Sequence, residues 1–248
     1  MFQFFVEKGQ VRDGHAYITG TDVNHITNVL RLQCGDSLQI VQEEDPHLYV
    51  CTIERFDDTV VESVVKEVTE SRAELPAKIC LLQGLPKSDK MEWILQKAVE
   101  LGVSEIIPVR TEHAIVKLDH KKAAEKVKRW QTIAEAAAKQ SKRSFIPRVH
   151  DVLTFKEALT YLSALDVKVM AYEHADTDQM EETRSVLGAI RPGDSVGILI
   201  GPEGGFSPCE ADAAKKSGIS LITLGRRILR TETAGLTVLS WLVYLLEK

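Results

Sequence analysis

The most informative segment of the sequence is Ile198-Leu199-Ile200-Gly201-Pro202-Glu203-Gly204-Gly205-Phe206. It begins with a short apolar run bounded by turn residues, which predicts a buried β-strand. The proline and glycines that follow predict a loop. Ser207-Pro208-Cys209-Glu210 then has the pattern of a capping box with proline at the first helical position. Strand, loop and helix therefore follow one another here as they do in a parallel α/β sheet.

The same alternation extends over residues 78–248. A second capping box, Thr154-Phe155-Lys156-Glu157, opens another helix. Continuous apolar strands separated by helices indicate a mostly parallel sheet with helices on both faces. The predicted strands are 78–85, 105–109, 167–172, 195–200 and 221–224, and the predicted helices include 90–101, 123–141, 179–190 and 233–247.

Residues 1–70 have a different pattern, with short β-rich runs separated by turn residues. They predict a small β-barrel domain containing one helix, at 22–32, which Asp22 can cap. Residues 71–77 lack periodicity and contain Pro76, so they are predicted to be the linker to a second domain at 78–248. The predicted strands of the first domain are 2–7, 16–19, 37–41, 48–54 and 60–67.

Charge is distributed unevenly in this chain of 248 residues, whose formal net charge is −5. Residues 1–70 have a balance of −8, whereas residues 115–148 have +7 and end in a run that contains Lys139, Lys142 and Arg143. Such a basic segment is either a solvated helix face or a phosphate-binding surface, and composition leaves both open. No apolar run reaches the roughly 18 residues of a membrane span, and the N-terminus turns polar too early for a signal peptide. We therefore expect a cytoplasmic protein without membrane association.

Three strand-to-helix loops of the second domain could form a binding site, because ligands of open α/β sheets usually sit beyond the carboxyl ends of the strands. Residues 201–205 contain three glycines and a proline, more turn chemistry than a simple connection requires. Residues 224–234 contain three arginines within five residues, which suggests handling of an anionic substrate, although a helix start capped by Thr231 or Thr233 is the simpler alternative. The third loop, 84–90, contributes Lys87 and Lys90. The four cysteines lack metal-ligand spacing, so we expect no metal.

The two C-terminal motifs together identify a family. Residues 200–207 and 224–234 closely resemble the corresponding motifs of the bacterial 16S ribosomal RNA uridine-N3 methyltransferases of the SPOUT class. Residues 90–103 and 129–143 match that family's pattern as well, and so do His25 and residues 29–32. The resemblance thus covers nearly the whole chain. Two places depart from it, since Gln3 stands where the family often has arginine and residues 111–114 replace a frequent Glu-Arg-Ser.

The resemblance implies a PUA-like N-terminal barrel, a catalytic domain with a trefoil knot, and a homodimer. The methyl donor, S-adenosylmethionine, is expected to lie bent in the knot. The donor contacts are expected from Leu199, Gly201, Glu203, Gly204, Leu224, Ile228, Leu229, Arg230 and Ala234. The partner is expected to be 16S ribosomal RNA in the small ribosomal subunit or its precursor. Candidate RNA contacts are Arg12, Arg31, Lys87, Lys90, Lys139, Lys142, Arg143 and Arg226.

Methylation at N3 of uridine requires removal of a proton and stabilisation of negative charge on the base. Arg230 is the candidate for stabilising that charge. Glu232 is a candidate base, but it could equally cap the helix or orient Arg230. Two alternatives for the function remain: a non-catalytic RNA-binding or ribosome-assembly protein of the same fold, and an enzyme that methylates another base or transfer RNA.

Overall fold

The computed structural model describes residues 1–43, 45–116, 118–173 and 180–247. The chain divides into two compact units, one formed by Met1–Glu74 with Ala138–Phe145 and the other by Leu75–Ala137 with Ile146–Lys248. The first division falls inside the predicted linker at 71–77. Assignment of residues 138–145 to the first unit differs from the predicted plan, which placed them in the second domain. Sequence order could not reveal this, because the contacts that hold the segment are made with residues about 70 or more positions away.

The first unit is a six-stranded mixed sheet with strand order β1-β4-β5-β6-β3-β2. Only the β1–β4 pair is parallel within this sheet. Phe4 on β1 and Ile18 on β3 share one apolar core although three strands separate them, so the sheet must curl around that core. The elements are β1 Gln3–Val6, β2 Val11–Arg12, β3 His15–Thr19, α1 Thr21–Asn24, β4 Ser37–Gln42, β5 His47–Phe56 and β6 Val60–Glu70.

The predicted helix of the first unit begins with α1 and continues as a π-helical turn at His25–Val29. Asp22 does not cap it: the residue before the helix is Gly20, and no side chain accepts a capping hydrogen bond. The Asp22 carboxylate instead contacts Lys139, with 2.8 Å between Oδ2 and Nζ. This ion pair helps to hold residues 138–145 in the first unit.

The second unit contains a seven-stranded sheet in which every pairing is parallel. Six strands follow the order β10-β8-β7-β12-β11-β13, and β9 pairs with β8. The strands are β7 Lys78–Gly84, β8 Glu105–Arg110, β9 Arg148–Val149, β10 Leu153–Thr154, β11 Val167–Ala171, β12 Ser195–Ile200 and β13 Ser220–Ile222. The helices are α2 Lys90–Glu100, α3 His120–Gln140, whose last three residues belong to the first unit, α4 Phe155–Ser163, α5 Met180–Gly188, α6 Pro208–Lys216 and α7 Thr231–Leu246.

Both predicted capping boxes are confirmed. Thr154 and Glu157 exchange the two hydrogen bonds at the start of α4, and Ser207 and Glu210 do the same at the start of α6. The predicted helix at 179–190 begins at Gln179, which lies outside the described residues. None of the helices in the described part of the chain is long and apolar enough to cross a membrane.

Candidate functional site

The carboxyl ends of three adjacent strands form the candidate site. In the sheet, β11 lies between β12 and β13, so the segments that follow these three strands emerge along one edge. This is the edge at which open α/β sheets usually bind ligands. A cavity of about 440 Å³ opens there, which is within the range of small-molecule sites.

The cavity has three walls. One comes from the glycine-rich loop after β12, a second from the arginine-rich segment before α7, and a third from the end of β11 with Tyr172 and Glu173. The lining residues are Ala171, Tyr172, Glu173, Ile200, Gly201, Pro202, Glu203, Gly205, Phe206, Thr223, Leu224, Gly225, Arg226, Arg227, Ile228, Leu229, Arg230, Thr231 and Ala234.

Seven of the nine residues predicted to contact the donor line this cavity, and Leu199 and Gly204 do not. Leu199 is fully buried in the apolar core, where it clusters with residues such as Met170 and Phe206. Successive strand residues point to opposite faces, which explains why its neighbour Ile200 reaches the cavity and Leu199 packs in the core. The carbonyl oxygen of Gly204 faces the ring of His113 at 2.8 Å.

The glycine-rich loop needs glycine for two separate reasons. Gly205 has a φ of 65°, in the left-handed region that side chains rarely adopt. A Cβ on Gly204 would instead lie only 2.9 Å from Cβ of His113. The position of Gly204 is therefore restricted by the space beside His113 and not by its backbone conformation.

A lysine joins the glycine-rich loop to the first turn of α7. Nζ of Lys90, the first residue of α2, lies 3.0 Å from Oε1 of Glu203 and 3.2 Å from Oε2 of Glu232. Hydrogen bonding to Glu203 is the main cause that raises the pKa of Lys90. Burial raises the pKa of Glu203, but hydrogen bonds from backbone N–H groups and from Lys90 outweigh it, so that pKa is lowered. Lys90, predicted as an RNA contact, is therefore already engaged with two carboxylates.

Glu232 lies beside the cavity rather than in its lining. It occupies the first turn of α7, where the positive end of the helix dipole stabilises a carboxylate. Its carboxylate contacts Lys90. Among the roles left open for Glu232, this placement favours an orienting or helix-stabilising role over that of a base.

Arginine side chains surround the mouth of the cavity. Arg226, Arg227 and Arg230 are exposed and all belong to its lining. Ile228, between them, is 86% exposed, which is unusual for a large apolar side chain and leaves it available to a ligand. Neither Thr231 nor Thr233 caps α7, because the residue before the helix is Arg230 and no side chain accepts a capping hydrogen bond.

The predicted RNA contacts have different environments. In the first unit Arg12, Arg31 and Lys142 are exposed. Arg143 is only 2% exposed, and its guanidinium holds Glu74, with 2.6 Å between Nη2 and Oε2. The prediction that Arg143 contacts RNA is therefore wrong, because its guanidinium is buried and already paired with Glu74.

Sequence reasoning missed the third wall of the cavity. Tyr172 and Glu173 directly follow β11, which pairs with β12 over Val167–Met170. The signal was available, because parallel neighbouring strands present their carboxyl ends at the same edge. Glycine and arginine content drew attention to the other two loops, whereas residues 172–173 carry no motif.

The lining fits S-adenosylmethionine, the donor that the resemblance implies. Ile200, Leu224 and Leu229 offer apolar surface, and Glu173 and Glu203 place two carboxyl groups beside it. The positively charged sulfonium of the donor is compatible with the negative charge of these carboxylates, and the apolar side chains can pack against its adenine ring. The chemistry of the cavity is thus that of a mixed polar and apolar cofactor.

One set of metal-ligand atoms occurs among the described residues. His15, Glu54 and Glu62 bring three such atoms within 4.8 Å of one another in the first unit. Nε of Arg55 already lies 2.6 Å from Oε2 of Glu62, so a guanidinium supplies positive charge there. We infer no metal centre from this group.

Comparison with known proteins assigns the chain to a family. A family model described as the RNA methyltransferase domain matches residues 73–243, and one described as the RNA methyltransferase PUA domain matches residues 18–60. The chain is 38% identical over 251 residues to the ribosomal RNA small subunit methyltransferase E of Bacillus subtilis (strain 168), covering 100% of this chain and 98% of that protein. It is 31% identical to the protein of the same name from Mesomycoplasma hyopneumoniae (strain 232), covering 97% and 98%.

A solved structure shows the same fold with a cofactor. The ribosomal RNA small subunit methyltransferase E from Neisseria gonorrhoeae, bound to S-adenosyl methionine, superimposes with a TM-score of 0.84 at 30% identity. The match covers 99% of this chain and 98% of that one. Family models, relatives of full length and a shared fold all lead to the same assignment: the chain belongs to the RNA methyltransferase family and carries that family's PUA domain in its N-terminal unit.

Proposed function

We propose that this protein transfers a methyl group from S-adenosylmethionine to N3 of a uridine in 16S ribosomal RNA. The observation that carries the proposal is the cavity at the carboxyl ends of β12, β11 and β13, lined by the two motifs on which the family resemblance rests. Full-length relatives named ribosomal RNA small subunit methyltransferase E support the ribosomal substrate. The reaction belongs to the cytoplasm, where ribosomal subunits assemble.

The donor supplies an electrophilic methyl group, and the protein supplies position and electrostatics. Uridine N3 is protonated and uncharged at neutral pH, so negative charge develops on the uracil as its proton leaves. We assign stabilisation of that charge to the guanidinium of Arg230, and its exposure in the cavity lining supports the assignment. Glu232 acts through Lys90 and the start of α7 rather than on the base.

RNA binding is assigned to exposed cations in each unit. Arg226 and Lys87 belong to the second unit, and Arg12, Arg31 and Lys142 belong to the first. The first unit is acidic as a whole, so contact through these few residues is more consistent with its charge than broad phosphate binding.

A homodimer is part of the proposal. Leu239, Leu242 and Leu246 form the buried stripe of α7. Tyr244 is 84% exposed and Leu245 45% exposed on the same helix, so α7 has a second apolar face that a copy of the chain could cover. The trefoil knot is likewise proposed, supported by the insertion of β12 between β7 and β11.

The decisive experiment uses the full-length protein and small ribosomal subunits from cells that lack it. Calorimetry should detect S-adenosylmethionine binding, and nucleoside analysis after reaction should find 3-methyluridine in 16S RNA. Donor binding without methyl transfer to any RNA would favour a non-catalytic assembly protein. A methyl group on another base, or on transfer RNA, would establish the related enzyme instead.

A further inference from the structure

Buried hydrogen bonds join three elements of the second unit: strand β7, the start of α7 and the glycine-rich loop after β12. Gln83, on β7, donates from Nε2 to Oγ1 of Thr231 over 2.9 Å. Thr231, the first residue of α7, donates its hydroxyl proton to the carbonyl oxygen of Gly201 over 2.6 Å. Gln83 is 0% exposed and Thr231 5% exposed. Residues far apart in sequence are thus connected by one continuous polar path.

The direction of each bond follows from the groups involved. The Gly201 carbonyl can only accept, so Thr231 must donate there and accept from the Gln83 amide. The other proton of that amide goes to the carbonyl oxygen of Gly84, at 3.0 Å. Oε1 of Gln83 is left buried without a hydrogen-bond partner among the described residues. An apolar side chain would avoid that unsatisfied acceptor, so a role beyond filling the core is indicated.

The path ends at two walls of the cavity. Gly201 and Thr231 both belong to the lining, and Arg230 immediately precedes Thr231. Gln83 stands behind them, inside the protein. A displacement of the Thr231 hydroxyl would therefore change the distance between the glycine-rich loop and the arginine that faces the substrate.

We propose that Gln83 and Thr231 are positioning residues for the methyl donor, which together fix the glycine-rich loop relative to Arg230. The proposal rests on the proposed function, because it concerns the donor site of that same reaction. Neither residue touches the reacting atoms in this scheme. Their contribution is the fixed separation of two loops that must bind one molecule between them.

The test replaces the hydroxyl without changing shape. In Thr231→Val the Gly201 carbonyl and the Gln83 amide lose their shared partner, so the Kd for S-adenosylmethionine should rise by about tenfold. Thr231→Ser keeps the hydroxyl and should retain wild-type affinity. Thr160→Val is the matched control, because within the described residues that exposed hydroxyl donates to the carbonyl of Lys156 in its own helix and to no other group. Affinity is measured by calorimetry, and methyl transfer is measured at saturating donor.

Gln83→Leu provides an independent arm. It should weaken donor binding, and Gln83→Leu combined with Thr231→Val should be no worse than Thr231→Val alone, because one path is being broken twice. A folded Thr231→Val protein with wild-type donor affinity and rate would overturn the inference, even if its melting temperature fell. If Thr231→Val does not fold, wild-type affinity in Gln83→Leu would overturn it. Failure of the wild-type protein to bind donor would refute the proposed function, and this inference with it.

Discussion

Replacement of Arg230 distinguishes an effect on methyl transfer from an effect on RNA binding. Because Arg230 lines the cavity and is exposed, Arg230→Ala should lower the single-turnover methyl-transfer rate by about 100-fold or more. RNA affinity should fall much less. Arg226→Ala is the comparison, because loss of an RNA contact should lower RNA affinity more than the methyl-transfer rate. A wild-type transfer rate in folded Arg230→Ala would remove Arg230 from the mechanism.

Lys90 carries a prediction about pH. Its hydrogen bond is one cause that lowers the pKa of Glu203, against the burial that raises it. Lys90→Met removes that cause, so Glu203 should take up its proton at a higher pH than in the wild type. Donor affinity should then decline at a higher pH as the solution is acidified, as titration calorimetry between about pH 4 and pH 8 can show.

Lys90→Arg keeps the positive charge and serves as the control for that experiment. It should follow the wild-type pH dependence. An acid decline in Lys90→Met that coincides with that of the wild type would contradict the role given to the lysine.

At the scale of elements, what the sequence could predict depended on how far apart the interacting residues lie. The capping boxes of α4 and α6 were predictable because all their partners lie within four consecutive residues. One alternative from the sequence has the hydroxyl of Thr231 or Thr233 cap α7, but the hydroxyl of Thr231 bonds to Gly201, 30 positions away. No local pattern distinguishes these two uses of a threonine at a helix start.

The segment Ala138–Phe145 shows the same limit. Its cations were predicted to meet phosphates, whereas Arg143 is held by Glu74 and its carbonyl oxygen accepts a hydrogen bond from Gln3 at 2.6 Å. Burial and long-range pairing are properties of the folded chain and leave no periodic signal. Lys142 remains exposed, so Lys142→Ala is the variant that tests RNA binding by this segment.

Arg143→Met should destabilise the protein by on the order of 3 kcal/mol, because Glu74 loses its buried partner. Urea unfolding of the full-length protein measures this change, and Lys142→Ala should unfold at the wild-type urea concentration. Equal stability of Arg143→Met and wild type would mean that the segment is held by other contacts.

At the scale of the whole molecule, the sheet separates its polar groups between two edges. The donor cavity lies at the carboxyl edge, while Glu105 begins β8 at the amino edge, where it contacts Lys78, Tyr161 and His150. Burial raises the pKa of Glu105, but the hydrogen bonds from these partners outweigh it and lower that pKa to about 2. The charged carboxylate is therefore part of the stability of the second unit.

A carboxylate whose pKa is lower in the folded than in the unfolded protein stabilises the fold at pH values above its unfolded-state pKa. That stabilisation is lost as the pH falls towards the folded-state pKa. Glu105→Gln should thus be less stable than wild type at pH 7, by on the order of 2 kcal/mol. The difference should shrink as pH falls from about 4.5 towards about 2. Urea unfolding at several pH values measures it, with Glu125→Gln, exposed on α3, as the control. A difference independent of pH would show that charge on Glu105 is not the cause.

The division of the chain also has a consequence for biosynthesis. The first unit takes its last piece, Ala138–Phe145, from a region that leaves the ribosome about 70 residues after Glu74. At roughly 5–20 residues per second, that delay is roughly 4–14 s. During this interval Glu74 has not yet met Arg143, and Asp22 has not met Lys139. The domain that is translated first is therefore completed only after most of the first half of its neighbour has been made.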